Sequence, residues 1–231
     1  MALSDVEARL DVVRARIAAA CARAGRDPAQ VTLVAVSKRH PPEALRDAYA
    51  AGQRVFGENY VQELVQKAEA LADLEGLRFR FVGHLQRNKA KHLARVRAAC
   101  DGLGDLRTAE ALARRVGDAP PLPVLIQVNV AGEAQKSGVP PSEVSALVRG
   151  VRALPALRLE GLMTVPPAGE PESARPVFRA LRALAEAEGL GALSMGMSAD
   201  LEVAVEEGAT LVRVGTAIFG PRPPASAPGT P

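Results

Sequence analysis

The chain has 231 residues, 48% hydrophobic and 24% charged, a globular composition that excludes a disordered chain. No apolar run approaches the roughly 20 residues of a membrane-spanning helix, and a net charge of +3 does not by itself imply nucleic acid. Aromatic residues make up 3% and Trp is absent, so the core must come from Leu, Val, Ile and Ala.

In chain order, Ser4 and Glu7 form a capping-box pattern, and Leu3, Val6, Leu10, Val13 and Ile17 recur at helical spacing up to a stop at Gly25. Strands and helices then alternate. Val31 to Ser37 reads as a strand, and Pro41-Pro42-Glu43 opens a helix ending near Gly52. Arg54 to Phe56 is a second strand, followed by a helix from Tyr60 to Leu74. Arg78 to Val82 is a third, followed by a basic helix from Gln86 to Arg97. Ala98 to Leu103 and Thr108 to Val116 form the next pair, then Pro123 to Val130 with Pro141 to Leu154. Leu157 to Met163 precedes a helix over Ser173 to Glu188. Ala192 to Met197 precedes one over Ala199 to Gly208, and Leu211 to Phe219 is the eighth strand.

Eight strands interleaved with helices predict an α/β fold, a single (β/α)8 barrel of the TIM type, over an open doubly wound sheet. No helix is read after the eighth strand, and the extra N-terminal helix is expected to take that place in the outer ring. One domain over 1–220 is expected. The tail from Pro221 to Pro231, with five prolines among small residues, predicts disorder.

Cys21 and Cys100 have no CxxC partner, and His40, His84 and His92 have no HExxH spacing. A disulfide framework and a structural zinc site are therefore not expected. The first nine residues carry Asp5 and Glu7 and lead into no apolar run, which predicts no signal peptide and a cytoplasmic address.

Functional groups of such barrels gather at the C-terminal ends of the strands. That rule selects Ser37-Lys38, Gly57-Glu58-Asn59, Gly83-His84, Asn129, Met163-Thr164, Met197-Ser198 and Gly215-Thr216. Lys38 closes the most apolar strand, VTLVAVSK; loss of solvation there disfavours the ammonium and suits an amine nucleophile for an aldehyde. A plain solvated lysine at a strand end is the alternative. Phosphate sites commonly follow strands seven and eight. Ser198 is placed to cap the next helix, and its hydroxyl with the amides behind it suits a dianion. Gly215 permits close backbone approach and Thr216 adds a hydroxyl; a plain cap and a packing glycine are the alternatives. Arg213 shares a face with Gly215 and must find a partner, either a carboxylate such as Glu58 or a ligand ring nitrogen.

An aldehyde-trapping lysine, a phosphate cup and an arginine facing a ring nitrogen together describe pyridoxal phosphate. At these residues the chain resembles the pyridoxal phosphate homeostasis proteins, the YggS/PROSC family. The matching segments are VAVSKRHPPEAL, FGENYVQEL, FRFVGHLQRNKAK, VLIQVNVAGEAQKSGV, RLEGLMTVPP and SMGMSADLEVAVEEGATLVRVGTAIFG, in order from residue 31 to 220. The resemblance implies a single-domain barrel like the N-terminal domain of alanine racemase. It assigns the cofactor lysine to Lys38, phosphate contacts to Ser198, Gly215 and Thr216, and the ring-nitrogen contact to Arg213. Asn59 and Met197 fall in matching segments near the pocket. The segment ACDGLGDLRTAEAL departs from the family's fourth strand and leaves the register of Asp101 and Asp105 open.

The cofactor acts as an electron sink, strongest with a protonated ring nitrogen. Arg213 would disfavour that form, and the chain ends soon after strand eight, with no room for the second domain that completes a racemase site. The tyrosines, Tyr49 and Tyr60, are placed on outer helices. A carrier that holds pyridoxal 5'-phosphate as a lysine Schiff base, serving its storage and delivery inside the cell, is therefore expected. The alternative is a pyridoxal phosphate-dependent racemase or other Schiff-base enzyme. Apo-enzymes are the expected recipients, a monomer the expected state, and no metal is expected. The segment HLQRNKAKHLARVR, with Arg87, Lys89, Lys91, Arg95 and Arg97, lacks the aromatic platform of a nucleic-acid reader.

Overall fold

The computed structural model describes residues 5–221 and shows a closed barrel of eight parallel strands in sequence order. The strands are β1 (Thr32–Val36), β2 (Val55–Glu58), β3 (Arg78–Phe81), β4 (Ala99–Leu103), β5 (Leu122–Gln127), β6 (Leu157–Met163), β7 (Ala192–Ser194) and β8 (Leu211–Val214). Closure is made by β1, which pairs with β2 at Ala35–Phe56 and with β8 over Thr32–Leu211 to Ala35–Val214. The crossover helices are α2 (Pro42–Ala50), α3 (Val61–Ala70), α4 (Ala90–Val96), α5 (Leu106–Val116), α6 (Val144–Arg152), α7 (Arg175–Ala187) and α8 (Leu201–Glu206). The expected barrel with an additional N-terminal helix, α1 (Asp5–Arg23), is thus present. Gly25 ends that helix at φ +64°, a conformation that favours glycine. Ser4 and Leu3 of the predicted cap, and the tail beyond Pro221, lie outside the described residues.

The side-chain period of two divides each strand between two cores. One set packs under the helices, where Phe56, Leu64, Leu93, Ile126 and Phe178 are buried in the main cluster. The other points into the barrel, where Val34, Val55, Leu125, Met163 and Leu211 form a separate small cluster. The barrel interior also holds buried polar groups, namely Asp101, Ser194 and Arg213.

Three sequence expectations are corrected. Strand eight stops at Val214, and Thr216–Phe219 forms a short helix, α9, where the strand was expected to continue. Strand seven stops at Ser194, before Gly196 turns the chain at φ +91°. Helix α8 begins at Leu201 with Asp200 as its N-terminal flank, so Ser198 is not its cap.

Helix α1 is tied to the top of the barrel as well as packed on it. Arg16 grips Glu202 of α8 through two bonds of 2.6 and 2.8 Å and donates to the Ser198 carbonyl at 2.9 Å. Burial would raise the Glu202 carboxyl, but its bonds to Arg16 outweigh that and hold it below its usual value.

Candidate functional site

A cleft of about 380 Å³ opens at the C-terminal end of the barrel. Lys38, Asn59, Met197, Ser198, Arg213, Gly215 and Thr216 all line it. The structure therefore brings the whole predicted set together. His40, which the sequence reading passed over, joins them and packs its ring against Phe219 with centroids 5.2 Å apart. The clue to it was position: His40 stands two residues beyond Lys38, in the same turn.

Lys38 is half-buried in the turn directly after β1. Both neighbours of Lys38 are fastened to one buried charge cluster. The Ser37 carbonyl accepts from Lys67 Nζ at 2.8 Å, and the Ser37 hydroxyl donates to Glu58 Oε1 at 2.7 Å. On the other side the Arg39 amide donates to Glu63 Oε2 at 2.7 Å. Lys67 Nζ closes the set, 2.6 Å from Glu58 Oε1 and 3.1 Å from Glu63 Oε2. Arg39 is held at φ +66°, a left-handed conformation uncommon outside glycine, so these anchors fix a turn the chain alone would disfavour. Glu58 is wholly buried; burial pushes its carboxyl up, against the opposing pull of Lys67.

This cluster rules out Glu58 as the carboxylate partner offered for Arg213 as one of two alternatives. Arg213 instead donates from Nη1 to Ser194 Oγ at 2.8 Å and from Nη2 to the Thr164 carbonyl at 2.8 Å. Ser194 Oγ in turn donates to Asp101 Oδ2 at 3.2 Å, while Asp101 receives Arg80 Nε at 2.8 and 3.1 Å. The barrel carboxylate is thus spent on Arg80. Arg213 is 6% exposed and makes no ion pair among the described residues. Burial pushes its guanidinium down, with Asp101 and Asp200 opposing, but from a starting value so high that it remains a cation. Thr164 is among the strand-end residues and the register of Asp101 is open in the sequence; the fold places both beside Arg213 and adds Ser194, which no sequence pattern singles out. Asp105, whose register was open, caps α5 through the Thr108 amide at 2.8 Å.

Opposite Lys38 in sequence, two turns meet at the cleft. In the first, Asp200 Oδ1 accepts from the Met197 amide at 2.6 Å, and Arg16 holds the Ser198 carbonyl, leaving the Ser198 side chain on the cleft wall. In the second, the first helical bond of α9 runs from the Ile218 amide to the Gly215 carbonyl at 2.8 Å, so the amides of Thr216 and Ala217 precede it. A side chain at Gly215 would put its Cβ 2.9 Å from the Val36 carbonyl oxygen, which is why only glycine fits between β8 and β1 here. Hydroxyls, leading amides and a nearby cation make a set suited to a phosphate dianion.

The other strand-end residues go elsewhere. His84, Gly83 and Asn129 line an adjoining hollow of about 280 Å³ that shares Asn59, Val82 and Val165 with the cleft. Tyr49 donates to the Glu75 carbonyl at 2.7 Å, and Tyr60 is exposed at the start of α3; neither lines the cleft. Among the described residues no group of His, Cys, Asp and Glu could hold a metal ion, and no helix is long and apolar enough to cross a membrane. Cys21 and Cys100 are both buried and unpaired with one another, and burial pushes the Cys100 thiol up to about 12.

The family model for the alanine racemase N-terminal domain matches residues 9–223. A pyridoxal phosphate homeostasis protein of Pseudomonas aeruginosa is 47% identical over 224 residues, covering 95% of this chain and 97% of its own. One from Escherichia coli is 44% identical over 231 residues, covering 95% and 98%. Among solved structures, PipY of Synechococcus elongatus with pyridoxal phosphate bound superposes with a TM-score of 0.82 at 35% identity, covering 93% of this chain and all of its own.

The charge cluster under Lys38 has a measurable consequence. Lys67→Met leaves Glu58 buried without its cation, a change that costs about 3–5 kcal/mol where measured. The urea midpoint should fall steeply in the single variant and recover in Lys67→Met with Glu58→Gln. Equal midpoints for wild type and Lys67→Met would show that the cluster does not hold this turn.

Proposed function

The chain belongs to the pyridoxal phosphate homeostasis proteins, and on that premise we propose that it binds pyridoxal 5'-phosphate in the Lys38 cleft and stores or delivers it inside the cell. The observation that carries the reading is the buried, carboxylate-free cation of Arg213 in the same cleft as Lys38. The cleft volume lies within the roughly 300–1,000 Å³ usual for small-molecule sites. A buried unpaired cation, an amine, two hydroxyls and a glycine cradle fit a phosphorylated aromatic aldehyde.

Bound pyridoxal phosphate supplies an electron sink for amino-acid carbanions. In this reading Lys38 Nζ would hold the cofactor through its aldehyde carbon, as a Schiff base. The turn that carries Lys38 is preset by Ser37, Arg39 and Lys67, so little ordering is left to do at binding. Ser198, Thr216 and the leading amides of α9 hold the phosphate, and Gly215 lets the backbone come close. Arg213 donates to the ring nitrogen and, as a permanent cation, opposes its protonation. Asn59 and Met197 wall the ring. All of these come from one chain, so a monomer suffices, and delivery goes to apo-enzymes that need the cofactor.

A racemase or other Schiff-base enzyme would need a second acid or base poised beside Lys38. His40 lines the cleft and packs its ring on Phe219, and its activity as such a group is what the turnover test below decides. The disfavoured pyridinium form supports a carrier rather than an enzyme.

Two outcomes test this. Hydrogen bonds to a charged group are worth about 1.5–3 kcal/mol, so Ser198→Ala should weaken pyridoxal phosphate by roughly tenfold or more and pyridoxal far less. Equal losses for both ligands would remove Ser198 from the phosphate site. Cofactor-loaded protein incubated with a panel of L-amino acids should show negligible racemisation, keto-acid formation or amine release. Robust multiple turnover that disappears in Lys38→Ala and His40→Ala would establish the enzyme instead.

A further inference from the structure

The opposite, N-terminal mouth of the barrel holds a larger cavity, about 630 Å³, that the cofactor reading does not use. Its walls are the starts of the strands: Thr32, Val55, Arg78, Ala99 and Leu211 all line it. Barrel interiors are normally filled there by layers of bulky side chains. Here Arg78, Arg80, Arg97 and Arg158 line the space against a single lining carboxylate, Glu160.

The charges do not cancel. Arg158 takes Glu160, with Nε and Nη2 at 3.0 and 2.9 Å from Oε1. Arg80 pairs with Asp101: its Nε donates to the carboxylate at 2.8 Å, and its buried Nη2 lies 2.7 Å from Oδ1. Glu160 is the next carboxylate, and it stands 4.0 Å from that Nη2. Arg97 donates to the Pro120 carbonyl. Arg78 has no hydrogen-bond or ion-pair partner for its side chain among the described residues. An exposed guanidinium with no partner among the described residues, Arg78, at a mouth shared with Arg158, whose only partner among them is Glu160, is an anion-binding arrangement, because the planar forks match carboxylate and phosphate oxygens. The rest of the wall is apolar, with Val55, Leu71, Phe79 and Leu211.

We propose that this mouth is a second small-molecule site, which takes an organic anion: a carboxylate or phosphate group at Arg78 and Arg158, and an apolar body against Val55 and Leu211. The site is separate from the Lys38 cleft and does not depend on what that cleft binds. An anion without an apolar body engages only the arginines, so it binds more weakly than one that also covers the apolar wall.

The test is calorimetric titration of the full chain with phenyl phosphate, and with inorganic phosphate for comparison. Arg78→Gln and Arg158→Gln alter exposed side chains, and unchanged melting temperatures confirm that both variants fold. Ser198→Ala reports any binding at the opposite cleft. The proposal expects a phenyl phosphate site weakened about tenfold by Arg78→Gln and by Arg158→Gln, kept in Ser198→Ala, and several-fold tighter than inorganic phosphate. No binding at millimolar phenyl phosphate would overturn it. So would binding that ignores both arginine changes and vanishes in Ser198→Ala, or equal affinity for the two anions.

Discussion

Two guanidinium groups inside the barrel, Arg80 and Arg213, lie near the buried carboxylate of Asp101, and the arrangement of the Lys38 cleft follows from which of them takes it. Arg80 takes the carboxylate with its Nε at 2.8 and 3.1 Å. Arg213 is left with a hydroxyl and a carbonyl, neutral acceptors that orient it without discharging it. A buried charge without a counter-ion is unfavourable by several kcal/mol unless something pairs with it. The open side of Arg213 is the cleft, so the fold creates a demand for an electron-rich partner at that point. A pyridine nitrogen with its lone pair free meets it; a protonated one does not. In the proposed reading the same interaction favours binding of the cofactor and weakens its use as an electron sink.

The remaining parts of the cleft are held from outside the barrel. Helix α3 reaches in with Lys67 to fasten both neighbours of Lys38. The additional helix α1 reaches over with Arg16 to fasten the Ser198 turn through its carbonyl and through Glu202 of α8. The Lys38 turn and the Ser198 turn are therefore fixed by independent anchors, each a long side chain from the helical layer. That is a rigid, preset container, and preset geometry contributes to affinity because less ordering remains at binding.

Much of this was legible in the sequence. Most strands announced themselves as short apolar runs, Arg78 to Val82 by polar–apolar alternation and Ala98 to Leu103 only weakly, and eight of them alternating with helices specify the barrel. The strand-end rule then picked Lys38, Ser198 and Gly215 without any partner being visible. What failed has physical reasons. Thr216–Phe219 is apolar and β-branched and reads as strand, because four residues are too few to show a helical period. Ser198 and Asp200 are both good caps, and sequence does not say that Asp200 would take the flanking position and turn its carboxylate to the Met197 amide. Glu58 was one of two partners open to Arg213, yet it lies an odd number of residues from Val55, which faces the interior. Strand alternation therefore sends Glu58 outward, to Lys67. The Arg80–Asp101–Ser194 chain joins three strands, and no local pattern encodes contacts of that range.

The most direct measurement of the account is borohydride reduction of the cofactor-loaded protein followed by peptide mapping. The account predicts a yellow protein whose imine absorbance is lost on reduction, with the pyridoxyl label on Lys38 alone and no label in Lys38→Ala, which still folds. A label on Lys136 or Lys89, or full labelling of Lys38→Ala, would contradict it.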